Sequence, residues 1–211
     1  MSEPLMQTPL HAFGLARQAK PRDSSKGVWA NEIAPLGFVS LRGSASDPAF
    51  LAAVSGVVGC ALPITPCTSS ASESSKVLWI SPDEWMIIVP RDRLSGLLTG
   101  LDQALDGTRS QVADNSGGYT LVWLTGDKVQ DVLAHVSVYD VATLATGRVV
   151  GTTFGKASVY LYREGTGYLL MLRRSFADYI WRYLVRAARP YGFGVVALAA
   201  DDVLGLKKGA A

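Results

Sequence analysis

Leu-Gly-Phe-Val-Ser-Leu-Arg-Gly at residues 36–43 and Tyr-Thr-Leu-Val-Trp-Leu-Thr-Gly at residues 119–126 read as one strand written twice, with Gly43 answering Gly126 at an offset of 83 residues. At that offset Phe38 falls on Leu121, Val39 on Val122 and Leu41 on Leu124. Further along, Leu78 falls on Leu161, Trp79 on Tyr162, Trp85 on Tyr168, Leu98 on Trp181 and Leu101 on Leu184. Identities are few, but apolar positions, turns and helix starts agree over about 70 residues per copy, which is the mark of an internal repeat. Two copies are too few for a solenoid. The pattern predicts an α+β body of internally duplicated units related by a pseudo-two-fold.

Working outward, Asp47-Pro48 opens a helix, with Asp as N-cap and Pro at the first helical position. Phe50, Leu51, Val54, Val57 and Val58 give it an apolar stripe, and Gly59 stops it. Ser69–Ser75 lacks an apolar period and reads as a mobile surface loop. Val77–Ser81 and Trp85–Val89 form a hairpin across Pro82-Asp83-Glu84. Asp92 or a neighbour caps a helix over Leu94–Leu105. The second copy repeats this order. Tyr119–Thr125 is a strand, and Asp127 caps a helix carrying Val129, Val132, Leu133 and Val136. Arg148–Phe154 is an extra strand or loop, and Val159–Arg163 pairs with Tyr168–Leu172. Ser175 caps a last helix over Phe176–Ala188, which Pro190 ends. Each unit is β-α-β-β-α, a ferredoxin-like order short of one edge strand, and such edges are paired or covered. The expected layout is an extended N-terminal arm over 1–32, repeats over 33–113 and 114–199, and a tail over 200–211. The arm either wraps a partner or is a frayed terminus.

The chain has 211 residues, 48% of them hydrophobic and 18% charged, with a mean hydropathy of +0.20. It is more apolar than an ordinary soluble domain. The longest clean apolar run, Trp85–Val89, is far short of the ~20 residues that span a bilayer, so no membrane segment is expected. The first residues show no basic patch followed by an apolar run, which predicts no secretion signal and a cytoplasmic setting. The apolar excess then points to surface covered by another protein. A net charge of +2 leaves no nucleic-acid footprint. Cys60 and Cys67, with neither histidine nearby, lack the spacing of a metal site and read as free thiols.

Candidate chemistry is sparse. Asp83-Glu84 fits turn chemistry better than an acid–base pair. Gly192–Ala197 with Asp201 and Asp202 imitates a dinucleotide fingerprint, but follows a helix where the motif needs a preceding strand. Asp114-Asn115-Ser116-Gly117-Gly118 either offers backbone amides to a ligand or is a tight turn. His135 has no triad partner legible in the sequence. Catalytic, cofactor-binding and metal residues are therefore expected to be none. On the last helix, Phe176, Tyr179, Ile180, Tyr183, Leu184 and Ala187 form one stripe, with Trp181 and Val185 beyond its edge. Trp181, Arg182 and Arg186 are interface candidates, because Trp and Arg are enriched at hot spots. The alternative is a core tryptophan beside a solvated basic face.

The strings Leu36–Gly43, Asp47–Phe50, Gly59–Pro63, Val77–Pro90, Asp114–Gly126 and Arg174–Trp181, in this order, resemble the gamma-subunit family of heterotetrameric sarcosine oxidase. That family is similar in fold to the folate-binding region of aminomethyltransferases. The resemblance implies partners, the alpha, beta and delta subunits of a flavoenzyme that oxidises sarcosine to glycine. Hydrogen peroxide and formaldehyde accompany the glycine, the formaldehyde being captured as methylenetetrahydrofolate. It also implies that FAD, FMN, NAD, zinc and tetrahydrofolate belong to, or lie between, the other subunits. The Asn-Gly-Gly stretch leading to paired aspartates that the folate enzymes use is absent, as is the Lys-Gly-Cys-Tyr-x-Gly-Gln signature of the related iron–sulfur assembly proteins. Two functions follow: a non-catalytic subunit of such a complex, or a stand-alone folate-binding one-carbon transfer protein.

Overall fold

The computed structural model describes residues 7–198; the tail expected over 200–211, with Asp201 and Asp202, lies outside the described residues. Ahead of the first unit come a 3-10 turn (His11–Phe13), a short helix α1 (Leu15–Gln18) and a strand β1 (Val28–Ile33). The first unit then runs β2 (Leu36–Arg42), α2 (Pro48–Val58), β3 (Ser69–Ala71), β4 (Lys76–Ser81), β5 (Glu84–Pro90), α3 (Leu94–Ala104) and β6 (Gln111–Asp114). The second runs β7 (Tyr119–Thr125), α4 (Val129–Val136), β8 (Val149–Phe154), β9 (Ala157–Glu164), β10 (Gly167–Arg173), α5 (Ala177–Ala187) and β11 (Phe193–Val195). The duplicated order is therefore present, and each unit gains an edge strand, β3 or β8, that pairs outside its hairpin.

The strands form a five-stranded sheet, β3-β4-β5-β2-β6, and a six-stranded sheet, β11-β1-β7-β10-β9-β8. Alternation along each strand sorts side chains to two faces. Val39, Leu41, Val77, Trp85 and Ile87 pack under α2 and α3. Val122, Leu124, Tyr168 and Leu170 pack under α4 and α5. Phe38, Leu78, Met86, Ile88, Leu121, Tyr162, Leu169 and Met171 form a third cluster between the sheets. The layers are helix, sheet, sheet, helix.

Two readings of the sequence change here. The segment expected as an arm is built into the second half: β1 inserts between β7 and β11, antiparallel to the first and parallel to the second. Val28, Trp29, Ala30 and Ile33 are buried, as are Leu10 and Leu15 ahead of them. The ungapped offset also fails in the first hairpin strand. Ser81 pairs with Glu84 as Glu164 pairs with Gly167, but a bulge between Trp79 and Ser81 makes Trp79, not Ile80, the match of Arg163. One extra residue flips every side chain beyond it. Leu78 accordingly shares the inter-sheet core with Tyr162, whereas Leu161 faces the helices.

Helix ends show where local signals sufficed. Asp47 accepts hydrogen bonds from the Ala49 and Phe50 amides at 2.9 and 3.3 Å, and Gly59 closes α2 in the left-handed conformation. Asp47→Ala should cost about 1 kcal/mol, as N-cap losses do, read as a fall in the denaturant midpoint at unchanged slope. Asp92, Asp127 and Ser175 are not caps: α3 and α5 are entered through 3-10 turns at Arg91–Arg93 and Arg174–Phe176, and Asp127 pairs instead with Arg22 at 2.8 Å. Nor is the serine run a mobile loop. Ser72 and Ser75 both donate to the Val58 carbonyl, at 2.8 and 2.6 Å, satisfying an orphan acceptor at the end of α2. Ser75 is buried.

Gly43 and Gly126 end equivalent strands for different reasons. A Cβ on Gly43 would stand 2.3 Å from the Phe50 ring. Gly126 has φ +124°, and a Cβ there would meet the Gly27 carbonyl oxygen at 2.2 Å.

Candidate functional site

Helix α5 buries Ala177, Ile180, Trp181 and Leu184, so its core face lies one position along from the expected stripe. Phe176 and Tyr179 are exposed instead. Trp181 is 4% exposed, against Phe13 and Phe193 at ring-centroid distances of 6.1 and 5.5 Å. That corrects the surface reading of Trp181. The apolar arc is wide because the N-terminal segment and β11 cover its far edge. Arg182 and Arg186 are exposed. Arg182 holds Asp178 at 2.8 Å and lies 5.2 Å from the centre of the Phe13 ring.

The other candidates take structural positions. Glu84 accepts from Arg42 at 2.7 Å and from the Ser40 hydroxyl at 3.1 Å, while Asp83 takes the Ser81 hydroxyl and brackets the same Arg42. This ties the turn to its neighbouring strand. His135 is exposed on α4. Gly192 turns the chain into β11, where a dinucleotide loop would need a helix to follow. Cys60 and Cys67 are free thiols, with the Cys60 Sγ 3.5 Å from the Ser70 hydroxyl. Among the described residues no group of three or more His, Cys, Asp or Glu is placed to hold a metal ion, and no helix is long and apolar enough to cross a membrane.

The loop Asp114–Gly118 is a tight turn on the rim of a cleft. Asp114 accepts from the Ser116 amide at 2.9 Å and from its hydroxyl, and the Gly118 amide closes on the Asn115 carbonyl at 2.8 Å. Ser116 Oγ in turn accepts from the Phe38 amide at 3.0 Å, anchoring the turn to β2. Burial works to raise the Asp114 carboxyl; the two Ser116 hydrogen bonds, helped by Arg91, outweigh it and hold the group below the usual carboxylate range. The cleft has a volume of 560 Å³, and its lining includes Gln7, Thr8, Ala34, Pro35, Leu36, Ser116 and Gly117.

Arg91 and Arg174 also line this cleft. Neither carries a motif, and reading the residues singly misses both. The signal that finds them is the repeat itself, because Arg91 falls on Arg174 at the 83-residue offset, as Pro35 falls on Gly118. The geometry is duplicated too: the Arg91 amide donates to the Pro35 carbonyl at 3.3 Å and the Arg174 amide to the Gly118 carbonyl at 2.9 Å. The Arg174 guanidinium donates to the Gln7 carbonyl at 2.7 Å. Among the described residues, no carboxylate lies within 4.0 Å of either guanidinium in an ion pair. The arrangement can bind an anion, and the Ser116 hydroxyl is engaged on both sides, donating to Asp114 and accepting from the Phe38 amide.

A family model described as "Sarcosine oxidase, gamma subunit family" matches residues 42–189. The sarcosine oxidase subunit gamma of an Arthrobacter species is 31% identical over 188 residues, covering 85% of this chain and 90% of that one. Among solved structures, a heterotetrameric sarcosine oxidase from Corynebacterium sp. U-96 has a chain matching at TM-score 0.80 with 24% identity, over 92% of this chain and 100% of that chain. The glycine cleavage system aminomethyltransferase T of Bartonella henselae matches at TM-score 0.71 with 15% identity, over 94% of this chain and 61% of that one, a likeness of fold.

Proposed function

The chain belongs to the sarcosine oxidase gamma-subunit family, and from that membership we propose that it is a non-catalytic subunit of a heterotetrameric sarcosine oxidase. Its partners are then the alpha, beta and delta subunits, and FAD, FMN, NAD, zinc and the folate site are theirs. The observation that carries this reading is the family match, which spans both repeats. The structural roles taken by Asp83, Glu84 and Asp114 agree with it. A fold shared with an aminomethyltransferase does not by itself bring folate chemistry. Arg182 and Arg186 on the exposed face of α5 serve as interface residues in this reading; charged rims of that kind set association rate and salt dependence more than affinity.

The test is expression of the chain alone and together with the other three subunits. The isolated chain should show no flavin absorbance, no folate-induced change in melting temperature and no sarcosine-dependent peroxide. The co-expressed chain should elute with the active complex. Peroxide formation by the isolated chain, or an active complex that assembles without it, would overturn the proposal.

A further inference from the structure

We propose that the cleft between Pro35–Leu36 and Ser116–Gly117 seats an acidic segment of a partner chain, whose carboxylates are taken by Arg91 and Arg174. The inference rests on the reading of this protein as a subunit of a larger assembly. Four observations carry it. The two arginines stand at equivalent places in the repeats, each set by the same main-chain hydrogen bond, so a cleft wall from each unit brings one guanidinium to the same groove. Three arginines outside the cleft hold acids, Arg22 with Asp127, Arg42 with Glu84 and Arg182 with Asp178, whereas Arg174 reaches only the Gln7 carbonyl. Neither Arg91 nor Arg174 has an acid mate among the described residues.

The acid nearest at hand is also spoken for. Asp114 is tied up by the Ser116 amide and hydroxyl, so it offers Arg91 a favourable field but no direct pair. Finally, 560 Å³ is the room of a small-molecule or peptide site and far exceeds one inorganic anion. Ala34, Pro35 and Leu36 add an apolar stretch to the lining, which suits a peptide carrying aliphatic side chains between its acids. Guanidinium groups bind carboxylates in a two-pronged geometry that a lone lysine does not offer.

The experiment uses the complete co-expressed complex, with the photo-cross-linker benzoylphenylalanine in place of Leu36. Mass spectrometry should find one partner segment cross-linked there, and that segment should contain Asp or Glu. The yield should fall about tenfold in Arg91→Gln/Arg174→Gln, the change that about 1.4 kcal/mol of lost binding produces. The charge-preserving pair Arg91→Lys/Arg174→Lys should keep part of the yield, which separates loss of charge from loss of fold. A cross-link only to residues 1–6 of the same chain, a partner segment without acidic residues, or a yield indifferent to the glutamine pair would overturn the inference while leaving subunit membership intact. A complex that forms without this chain overturns both.

Discussion

Trp181→Ala should lower the stability of the chain by about 3–5 kcal/mol, the range for deleting a large aromatic from a packed core. The indole is 4% exposed and fills the space between α5, Phe13 and Phe193. Two segments from opposite ends of the described chain meet on it, so truncation opens a cavity and loosens both. For a domain of about 150–250 residues each kcal/mol is worth roughly 2–4 °C, so the melting temperature should drop by about 10 °C. Trp181→Phe keeps the ring contacts and should cost far less. Thermal melts of both variants decide the point, read beside size exclusion of the co-expressed complex. An unchanged melt with lost assembly would mean that Trp181 faces a partner after all.

A second large effect is expected at the bond between the layers. Lys76 on β4 pairs with Glu164 at the end of β9, joining the five-stranded sheet to the six-stranded one. The Lys76 side chain is only 7% exposed and Glu164 30%, so the two partners are not equivalent. Removing the carboxylate strands a buried cation; removing the lysine leaves an acid that water can reach. The lysine also stands 5.7 Å from the centre of the Tyr162 ring. The Tyr162 hydroxyl is buried with no hydrogen-bond partner, and burial first, then the Glu164 charge, pushes its ionisation well above the ordinary tyrosine value. Tyr162 therefore supplies no negative charge to replace the lost carboxylate.

Glu164→Gln should cost about 3 kcal/mol, at the low end for breaking a buried pair because Glu164 is partly wet. Adding Lys76→Met should recover most of it, since an apolar side chain suits the surroundings that an unpaired ammonium does not. Denaturant unfolding of the two single variants and the double variant measures the coupling directly. If Glu164→Gln stays within about 0.5 kcal/mol of the parent, as surface changes do, the pair is not holding the layers.

Much of this architecture was legible without coordinates. Strand and helix periods depend only on neighbours a few residues apart, so β2, α2, the β4–β5 hairpin and their second copies stand near the expected places. Asp47 caps α2 because an N-cap bonds amides two and three residues on. The long-range choices were not legible. Nothing local tells β1 to pair between β7 and β11, since strand pairing is decided by which edges meet. That insertion in turn decided Trp181: a wide apolar arc looks alike whether a partner or the same chain covers it. The bulge before Ser81 shifted Leu78 to the other face because a single extra residue reverses alternation without changing composition. Ser72 and Ser75 became donors to the Val58 carbonyl, Ser75 fully buried, only because the end of α2 came to lie beside them. Arg91 and Arg174 share a repeat position in the sequence, but a shared cleft needs the two units to be packed face to face. Periodicity determines which side of an element is apolar; only packing between distant segments determines what that side meets.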